Sequence, residues 1–490
     1  MKDQPDTKST EVAIVKGNTP KESVQKGIEK LGGISNFIKE GDNVFIKFNL
    51  CLPSGFPTNT NFDVLKLLIT LCKDAGANKI YLGSFPFKGI PVNTISNLLN
   101  LKEFISNLGA ELVYLDNSNT FNEKNLKKEQ WNKVKREFYS EISQNDKKLL
   151  IPKLILSSDK IILINQINVD PLFKLRLSLL NFYSIIPPRN QEVEDKKNQE
   201  NNYISLDQYK KDLISNILDV YAIKQPNLVI NDCFYLLEGA GPYIYRDSNL
   251  KTTGVAVVGN NAISTDLITL KLCNVDTQSY NLILEANKRN LGIIDPQKIN
   301  LFGENIEDFD LNINFCVSKL EDIKIKNNIV YTGHFCSGCY KQAYHLLNFM
   351  KTYMTKDLKY NPRNAFLIGK NPVEPAHFKN VLLFGDCAIN STKDSNFRKI
   401  RKIPKKPKTD KKKSKKNQKL ASQKNEKIKV KSNKRILDLP GCPPDIFDCL
   451  KLLIKFYGKK NLPNLVLINK LIEIVVNPKV QENLKAMGVI

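Results

Sequence analysis

The sequence predicts an α/β fold, with a mostly parallel β-sheet and flanking helices, followed by a smaller α/β module that carries cysteines. Short β-branched and aromatic runs alternate with amphipathic segments of helical length, which is the order expected of βαβ units. Apolar runs such as residues 160–164 show no polar alternation, as is typical of parallel strands buried on both faces. Glycine follows several helical segments, where it commonly ends a helix.

The first 300 residues supply most of the predicted elements. Apolar residues at positions 64, 65, 68, 69 and 72 fall on one face of a helix that Gly76 ends. The predicted strands are 11–15, 43–50, 79–83, 111–115, 160–164, 227–232 and 253–258. The predicted helices are 21–31, 62–73, 92–108, 206–221, 266–273 and 279–287. The polar segment 118–148, which contains the single tryptophan, Trp131, is predicted to be an exposed helical excursion.

A short charged stretch predicts a boundary between an α/β body, residues 10–323, and a cysteine module, residues 324–490. The module is predicted to contain helices at 339–354 and 446–456 and strands at 381–385 and 436–439. Its Lys-rich insertion, residues 400–434, has almost no aromatic residues and is predicted to be disordered, because it cannot bury enough apolar surface to fold.

The basic charge of the chain is concentrated in one segment. Residues 398–435 contain nineteen Lys and Arg and two acidic residues, which accounts for +17 of the net charge of +24. Such a tract can bind RNA, DNA or an acidic membrane surface by counterion release, although it lacks aromatic residues for base stacking. The alternative is a solvated loop with incidental affinity for polyanions.

The sequence indicates a cytoplasmic protein. No apolar run reaches 18 residues, so no membrane span is expected. The first six residues are polar and mixed in charge, unlike a signal peptide. Thiols stay reduced in the cytoplasm, where clustered cysteines indicate a metal more often than disulfides.

Four cysteines lie at positions punctuated by glycine or proline. Cys336 and Cys339 form a Cys-x-x-Cys pair that enters a helix, Cys387 follows a predicted strand, and Cys442 lies between Gly441 and two prolines. A helix N-terminus stabilises thiolate charge. The alternative is that Cys387 and Cys442 are buried small hydrophobes and that only the pair is reactive.

Four thiolates are sufficient to hold a [4Fe–4S] cluster or a tetrahedral zinc ion. Zinc is the open alternative, bound by all four cysteines or with His334 or His345 in place of one thiolate. We favour iron–sulfur, because structural zinc sites more often show two close cysteine pairs and this chain has one pair and two single cysteines.

The cysteine module resembles the proximal [4Fe–4S] site of nickel–iron hydrogenase small subunits and of the related complex I subunit. The resemblance lies in Cys-x-Gly-Cys, in a strand followed by Gly-x-Cys-Ala, and in Pro-Gly-Cys-Pro-Pro before a helix. It covers roughly the last 160 residues and implies that Cys336, Cys339, Cys387 and Cys442 are the four ligands. Here the Lys-rich insertion separates the third ligand from the fourth.

The body resembles the domain of unknown function 362 family over roughly residues 10–300. The resemblance lies in the run 44–50, in Pro57-Thr58-Asn59-Thr60, in the strand that ends at Asp232, in the loop 238–242, and in residues 262–266. Members often carry iron–sulfur modules, but the family name implies no settled reaction. Where the family usually shows Pro-Lys-x-Lys-x-His, this chain has residues 165–170, Asn-Gln-Ile-Asn-Val-Asp, and the later Lys-Asn pair is Leu180-Asn181. The loss of these lysines and the histidine indicates that the body has become a scaffold.

Several residues of the body are candidates for ligand binding. Lys47 and Asn49, at the carboxyl end of a strand, would offer a cation and an amide in the crevice of an open α/β sheet, and Gly239 and Gly241 would bring backbone N–H groups to an anion. Asp232 and Asp266 would serve as base or metal ligand. The competing interpretations are a solvated strand-end lysine, a tight glycine turn and helix-capping aspartates.

The function predicted from the sequence is that of an iron–sulfur protein that transfers electrons, or supports an unidentified reaction, with an unknown redox partner. The alternative is a non-enzymatic binding protein, stapled by zinc or a cluster, whose Lys-rich tract contacts a polyanion. No Gly-x-x-x-x-Gly-Lys-Ser/Thr loop and no Gly-x-Gly-x-x-Gly after a strand is present, so the sequence does not support nucleotide binding.

Overall fold

The computed structural model describes residues 9–51, 55–85, 92–115, 128–145, 147–187, 206–354, 363–376, 378–398 and 435–457. The chain forms two compact units: unit 1 comprises Met1–Ser318 with Pro463–Ile490, and unit 2 comprises Lys319–Leu462. The predicted body and module meet at residues 323–324, close to this division. The Lys-rich tract 400–434 and His377 lie outside the described residues.

Unit 1 alternates strands and helices along most of its length. Side-chain caps begin several of its helices. For example, the Thr19 hydroxyl accepts from the Glu22 backbone N–H, and the Asn61 amide oxygen accepts from that of Asp63. In chain order the elements are β1 (Glu11–Lys16), α1 (Pro20–Lys30), β2 (Asn43–Lys47), α2 (Phe62–Asp74), β3 (Lys79–Gly83), α3 (Val92–Leu99), α4 (Leu101–Asn107), β4 (Glu111–Val113), α5 (Lys128–Phe138), β5 (Tyr139–Gln144), β6 (Lys147–Pro152), α6 (Lys153–Ser157), β7 (Lys160–Asp170), β8 (Lys174–Arg176), α7 (Ser178–Tyr183), α8 (Leu206–Ile223), β9 (Leu228–Gly239), β10 (Ser248–Thr252), β11 (Val255–Gly259), α9 (Ala262–Leu272), α10 (Asn281–Lys288) and β12 (Asn300–Gly303).

One large sheet organises unit 1. Its strand order is β12-β1-β11-β9-β7-β2-β3-β4, with β10 paired to β9 and β8 paired to β7. The central strands β9, β7, β2, β3 and β4 run parallel, whereas β11 is antiparallel to both β9 and β1. Side chains of successive residues enter separate cores on the two faces, for example Leu163 on one and Ile162 on the other. The predicted α/β class with a mostly parallel sheet is confirmed.

Three local predictions for unit 1 need correction. The predicted helix 92–108 is interrupted at Asn100, which has a φ of 51° and separates α3 from α4. In the segment 118–148, helix α5 is followed by a hairpin of β5 and β6. Strand β5 is mostly polar, and the buried apolar residues of β6, Leu149, Leu150 and Ile151, lie just past the end of that segment. Strands β7 and β9 extend several residues beyond the predicted apolar runs, as far as Asp170 and Gly239.

Unit 2 contains a four-stranded parallel sheet. Its elements are β13 (Asn328–Thr332), α11 (Ser337–Tyr353), β14 (Asn364–Ile368), β15 (Asn380–Phe384), α12 (Asp386–Ser391), β16 (Arg435–Leu439) and α13 (Ile446–Tyr457). The strand order is β13-β14-β15-β16, and every pair is parallel. All four carboxyl ends therefore lie along one edge of the sheet. Within the described parts of both units, no helix is long and apolar enough to span a membrane.

Candidate functional site

The four predicted ligand cysteines follow three strands of the unit 2 sheet. Cys336 precedes α11 after β13, Cys387 is the second residue of α12 after β15, and Cys442 follows β16. The register pairs Phe384 with Leu439 at the ends of β15 and β16. Because parallel strands share a carboxyl edge, the topology brings all three cysteine segments to the same edge of the sheet.

Close backbone contacts join these segments around Cys339. Gly385 donates to the Leu439 carbonyl at 2.9 Å, and Asp386 donates to the Gly441 carbonyl at 3.1 Å. A Cβ atom on Gly385 would lie 3.3 Å from Cys339 Sγ. The absence of a side chain at Gly385 therefore lets the Cys339 sulfur approach the turn that precedes Cys387.

The four thiols are near enough to influence one another electrostatically. The pKa of Cys339 is raised above its ordinary value by a hydrogen bond with Cys336 and by burial, and further by the thiols of Cys336, Cys442 and Cys387. Cys339 is buried, Cys336 is half-buried, and Cys387 and Cys442 are exposed. Among the described side chains, no three His, Cys, Asp or Glu are arranged to hold a single metal ion.

The two described histidines of unit 2 differ in their surroundings. His334 pairs with Lys370 through reciprocal backbone hydrogen bonds of 2.9 and 2.6 Å. His345 is buried on α11, where its ring contacts Tyr344. The structure thus gives His334 a backbone role beside the cysteine pair and buries the ring of His345 among the helix contacts.

In unit 1, Lys47 is fully buried at the end of β2. Its Nζ donates to the Phe48 carbonyl at 2.9 Å, to Ser84 Oγ at 2.9 Å and to Asn181 Oδ1 at 2.8 Å. Burial holds the pKa of Lys47 well below its ordinary value, with Cys51 raising it and Arg176 lowering it further. All three ammonium protons have acceptors, so the structure does not place Lys47 as a solvated strand-end charge.

A chain of buried amides continues from Lys47 across the sheet. Asn181 Nδ2 donates to Asn165 Oδ1 at 2.6 Å, and Asn165 Nδ2 donates to Asn231 Oδ1 at 2.8 Å. Asn231 Nδ2 donates to Asp266 Oδ1 at 3.0 Å. We call Lys47, Asn181, Asn165, Asn231 and Asp266 the amide chain. Every amide accepts on the side of the lysine and donates on the side of the aspartate.

Asp266 is the acidic end of the amide chain. Besides Asn231, the backbone N–H groups of Ser178 and Leu179 donate to its two oxygens at 3.0 and 3.1 Å. Burial raises the pKa of Asp266 to about 6, and these hydrogen bonds limit the rise. A carboxylate with three donors stays largely ionised at neutral pH, and its position on α9 is not that of a helix cap.

Comparison with protein families identifies the body of unit 1. Residues 44–271 match the family model described as Domain of unknown function (DUF362). This part of the chain is a DUF362 domain. The match includes every member of the amide chain. No curated protein matches the chain.

The DUF362 domain has the amides Gln166 and Asn168 at two positions where the resemblance implies lysines, Leu180 at the third, and Asp170 in place of the histidine. Asn165 and Asn181 belong to the amide chain, whereas Asn168 accepts from the Leu237 backbone and donates to the Pro57 carbonyl. Gln166 points to the other face of β7 and bonds the Tyr235 carbonyl. These amide side chains hydrogen-bond to one another and to the backbone, so protein groups fill the space around this part of β7.

The other predicted ligand residues of the DUF362 domain are also tied to the protein. Asn49 is buried, and its Oδ1 accepts from the Gln166 backbone at 2.8 Å. The Gly239 N–H donates to the Asn314 carbonyl at 2.7 Å. A Cβ on Gly241 would lie 2.7 Å from Val169 Cγ2, so glycine permits close packing there. A ligand role for these residues stays a prediction.

Sequence reasoning missed a charged cluster beside Lys47. Burial opposes the charge on Arg176, but Cys51, Tyr243 and Asp170 hold the pKa of its guanidinium above the ordinary value. These residues come from two loops, from the end of β7 and from the short strand β8, so no local spacing linked them. The one available signal was an arginine within a mostly apolar stretch, residues 172–186.

Proposed function

We propose that unit 2 binds a [4Fe–4S] cluster through Cys336, Cys339, Cys387 and Cys442 and that the protein transfers single electrons or supports a redox reaction with an unidentified partner. The observation that carries the proposal is the meeting of three cysteine segments at the carboxyl edge of one parallel sheet. A cytoplasmic location, where such thiols stay reduced, belongs to the same proposal.

The residues present fit such a group. Four thiolates are the usual ligand set of a [4Fe–4S] cluster. Gly385 leaves space at Cys339 Sγ, and a Cβ on Gly338 would lie 3.2 Å from Pro443 Cγ, so both glycines permit the close approach of the three segments. Cys387 and Cys442 are exposed, which leaves their thiols accessible to a cluster delivered from solution.

The roles of the chain's own residues follow from this arrangement. A bound cluster would supply one-electron chemistry, at a potential set by burial and by hydrogen bonds to its sulfurs. The N-terminus of α11 favours negative charge at Cys336 and Cys339. The Gly441 N–H donates to Asp386 Oδ1 at 2.9 Å, which holds the segments of Cys387 and Cys442 together.

The test is metal analysis of the full chain purified without oxygen. The proposal predicts a brown protein with about four irons per chain that absorbs broadly near ~400 nm. Cys387→Ser is expected to lower the iron content severalfold and to bleach the absorbance, because one ligand is lost. Unchanged iron content would remove Cys387 as a ligand.

A matched control is Cys449→Ala in the same unit. Cys449 is 1% exposed on α13, and burial, with Asp445 and Asp448, raises the pKa of its thiol to about 12. It therefore remains a neutral thiol, and its replacement is expected to leave the iron content unchanged. A colourless protein with one zinc per chain would replace the iron–sulfur proposal with that of a zinc-stapled binding protein.

We infer a second role from the charge of the chain. Residues 398–435 carry +17 of the net +24, and a tract of this charge binds polyanions by counterion release. RNA, DNA or an acidic membrane surface has the required charge. This contact is independent of the cluster and compatible with either metal.

A further inference from the structure

Among the described residues, two buried oxygen atoms on neighbouring strands of the DUF362 domain have no hydrogen-bond donor. They are Oε1 of Gln166 on β7 and Oδ2 of Asp232 on β9, and each side chain is 1% exposed. Both residues directly follow members of the amide chain, Asn165 and Asn231, so they point to the opposite face of the sheet. A buried acceptor without a donor is costly, so its persistence needs an explanation.

The two side chains lie side by side. Gln166 and Asp232 are direct partners in the parallel register of β7 and β9, and adjacent strands are about 4.8 Å apart. Gln166 Nε2 lies 3.5 Å from the main-chain oxygen of Asp232 and donates to the Tyr235 carbonyl at 2.6 Å. The Tyr235 carbonyl fixes the orientation of the amide, since only its nitrogen can donate. Oε1 must therefore find a donor on its remaining side.

Asp232 and Asp266 are both buried aspartates, but their partners differ. Asp266 accepts three N–H donors from Asn231, Ser178 and Leu179, whereas Asp232 accepts one, from the Phe234 backbone at 3.0 Å. Burial raises the pKa of Asp232 to about 7, and the Phe234 hydrogen bond only partly offsets it. A buried carboxyl with one donor favours the neutral form.

We propose that Asp232 is a protonated carboxylic acid in the folded protein and that its Oδ2–H donates to Oε1 of Gln166. One proton then gives Gln166 Oε1 a hydrogen-bond donor and turns Asp232 Oδ2 from an unpaired acceptor into that donor. Above neutral pH the proton leaves, and a buried carboxylate faces an amide oxygen. The middle of β7 and β9 thus contains a proton-binding site that ties the two strands together at lower pH.

The described surroundings of Asp232 bring no compensating charge. The antiparallel neighbour on β11 is Ala256, and the buried side of α1, which packs on β9, consists of uncharged residues (Pro20, Ser23, Val24, Gly27, Ile28). The titratable neighbour in sequence is Cys233, whose pKa is raised well above the ordinary value by burial and by Cys273, Asp232 and Asp266. Its thiol stays neutral, so the proton on Asp232 has no competitor nearby.

The experiment measures unfolding of the full chain in urea at about pH 5.5 and about pH 8. The single tryptophan, Trp131, belongs to unit 1, so its fluorescence follows the unit that contains Asp232. Asp232→Asn is the informative variant, because an amide nitrogen at the Oδ2 position can donate to Gln166 at every pH.

The expected result follows from proton linkage. The folded pKa of Asp232 lies above the unfolded value of about 3.9, so the folded state binds more protons between those values and stability falls as pH rises. Between about pH 5.5 and about pH 8, the unfolding equilibrium constant of the natural chain is expected to rise on the order of 30-fold more than that of Asp232→Asn.

Two further measurements decide against other interpretations. Asp266→Asn is the matched control, and it is expected to destabilise unit 1 at both pH values, because it sets an amide nitrogen against N–H donors.

Nuclear magnetic resonance of the natural chain with ¹³C-labelled aspartate follows the carboxyl group directly. The signal that is absent from Asp232→Asn belongs to Asp232 and is expected to titrate near neutral pH. A titration midpoint below about pH 5 would overturn the proposal. So would a bound cation, seen as stabilisation of the natural chain, but not of Asp232→Asn, by sodium, magnesium or calcium ions.

Discussion

At the scale of single residues, the amide chain shows how this DUF362 domain keeps a buried cation. Lys47 lies at one end and Asp266 at the other, with three asparagines between them. Because each amide accepts toward the lysine and donates toward the aspartate, all three dipoles favour the charges at both ends. A buried ion pair can in this way act across the width of several strands without direct contact.

Lys47→Met tests the role of the buried ammonium. Methionine has a similar length but leaves Asn181 Oδ1 and the Phe48 carbonyl without their donor. We expect the free energy of unfolding of unit 1 to fall by about 3 kcal/mol, since unsatisfied buried acceptors cost about 1–3 kcal/mol each. Urea unfolding followed by Trp131 fluorescence measures the change.

The control for this substitution is Lys79→Met on the neighbouring strand β3. Lys79 is the exposed first residue of that strand, so its replacement is expected to change the unfolding free energy by less than about 0.5 kcal/mol. Equal effects of the two substitutions would show that the amide chain does not depend on Lys47.

At the scale of secondary-structure elements, the turns after the strands of unit 2 determine the cysteine geometry. Gly385 has a φ of 87° between β15 and α12, a conformation that residues with a Cβ rarely adopt. Its position also borders Cys339 Sγ. The same glycine therefore turns the chain toward Cys387 and leaves room for the sulfur of the Cys-x-x-Cys pair.

Gly385→Ala is expected to reduce both stability and iron content. The positive φ costs about 1–3 kcal/mol for alanine, and the added methyl group displaces Cys339 Sγ. Iron per chain after anaerobic purification is the decisive measurement. The control for the positive φ alone is Gly41→Ala, because Gly41 has a φ of 85° and a Cβ added there would meet open space. If the two variants retain equal iron, the contact with Cys339 is not what matters.

At the scale of the whole molecule, charge is distributed very unevenly. Outside residues 398–435 the chain carries a net charge of only +7. The described residues that flank the tract are tied to the unit 2 sheet, because Arg398 pairs with Asp438 on β16 at 3.0 Å and Arg435 begins that strand. Affinity for a polyanion should therefore follow the tract rather than the folded units.

Replacing residues 399–434 with an uncharged linker of equal length tests this distribution. Affinity for a single-stranded RNA homopolymer at low salt is expected to fall on the order of 100-fold. A plot of log affinity against log salt concentration should also have a shallower slope. A variant with the same residues in shuffled order should bind like the natural chain, because counterion release depends on charge. Undiminished binding by the uncharged variant would assign RNA contact to the folded units.

The α/β class and most of the helices and strands were predictable from local features of the sequence. Strands such as 79–83 and helices such as 62–73 were predictable because apolar periodicity and glycine stops are local properties. The four cysteines were also recognisable, since residue type and Gly or Pro punctuation need no knowledge of the fold. The hairpin of β5 and β6 was not, because β5 is mostly polar and the apolar run of β6 is only a few residues long.

The contacts between residues that are distant in sequence became visible in the folded chain and not before. The register of β7 against β9 pairs Gln166 with Asp232 and Asn165 with Asn231, and no spacing along the chain encodes that pairing. Sheet order likewise brings Cys339 beside the turn of Gly385. Local sequence sets the conformation of each segment, whereas strand pairing and burial are set by the whole chain, so the partners of a buried charge appear only once the sheet is formed.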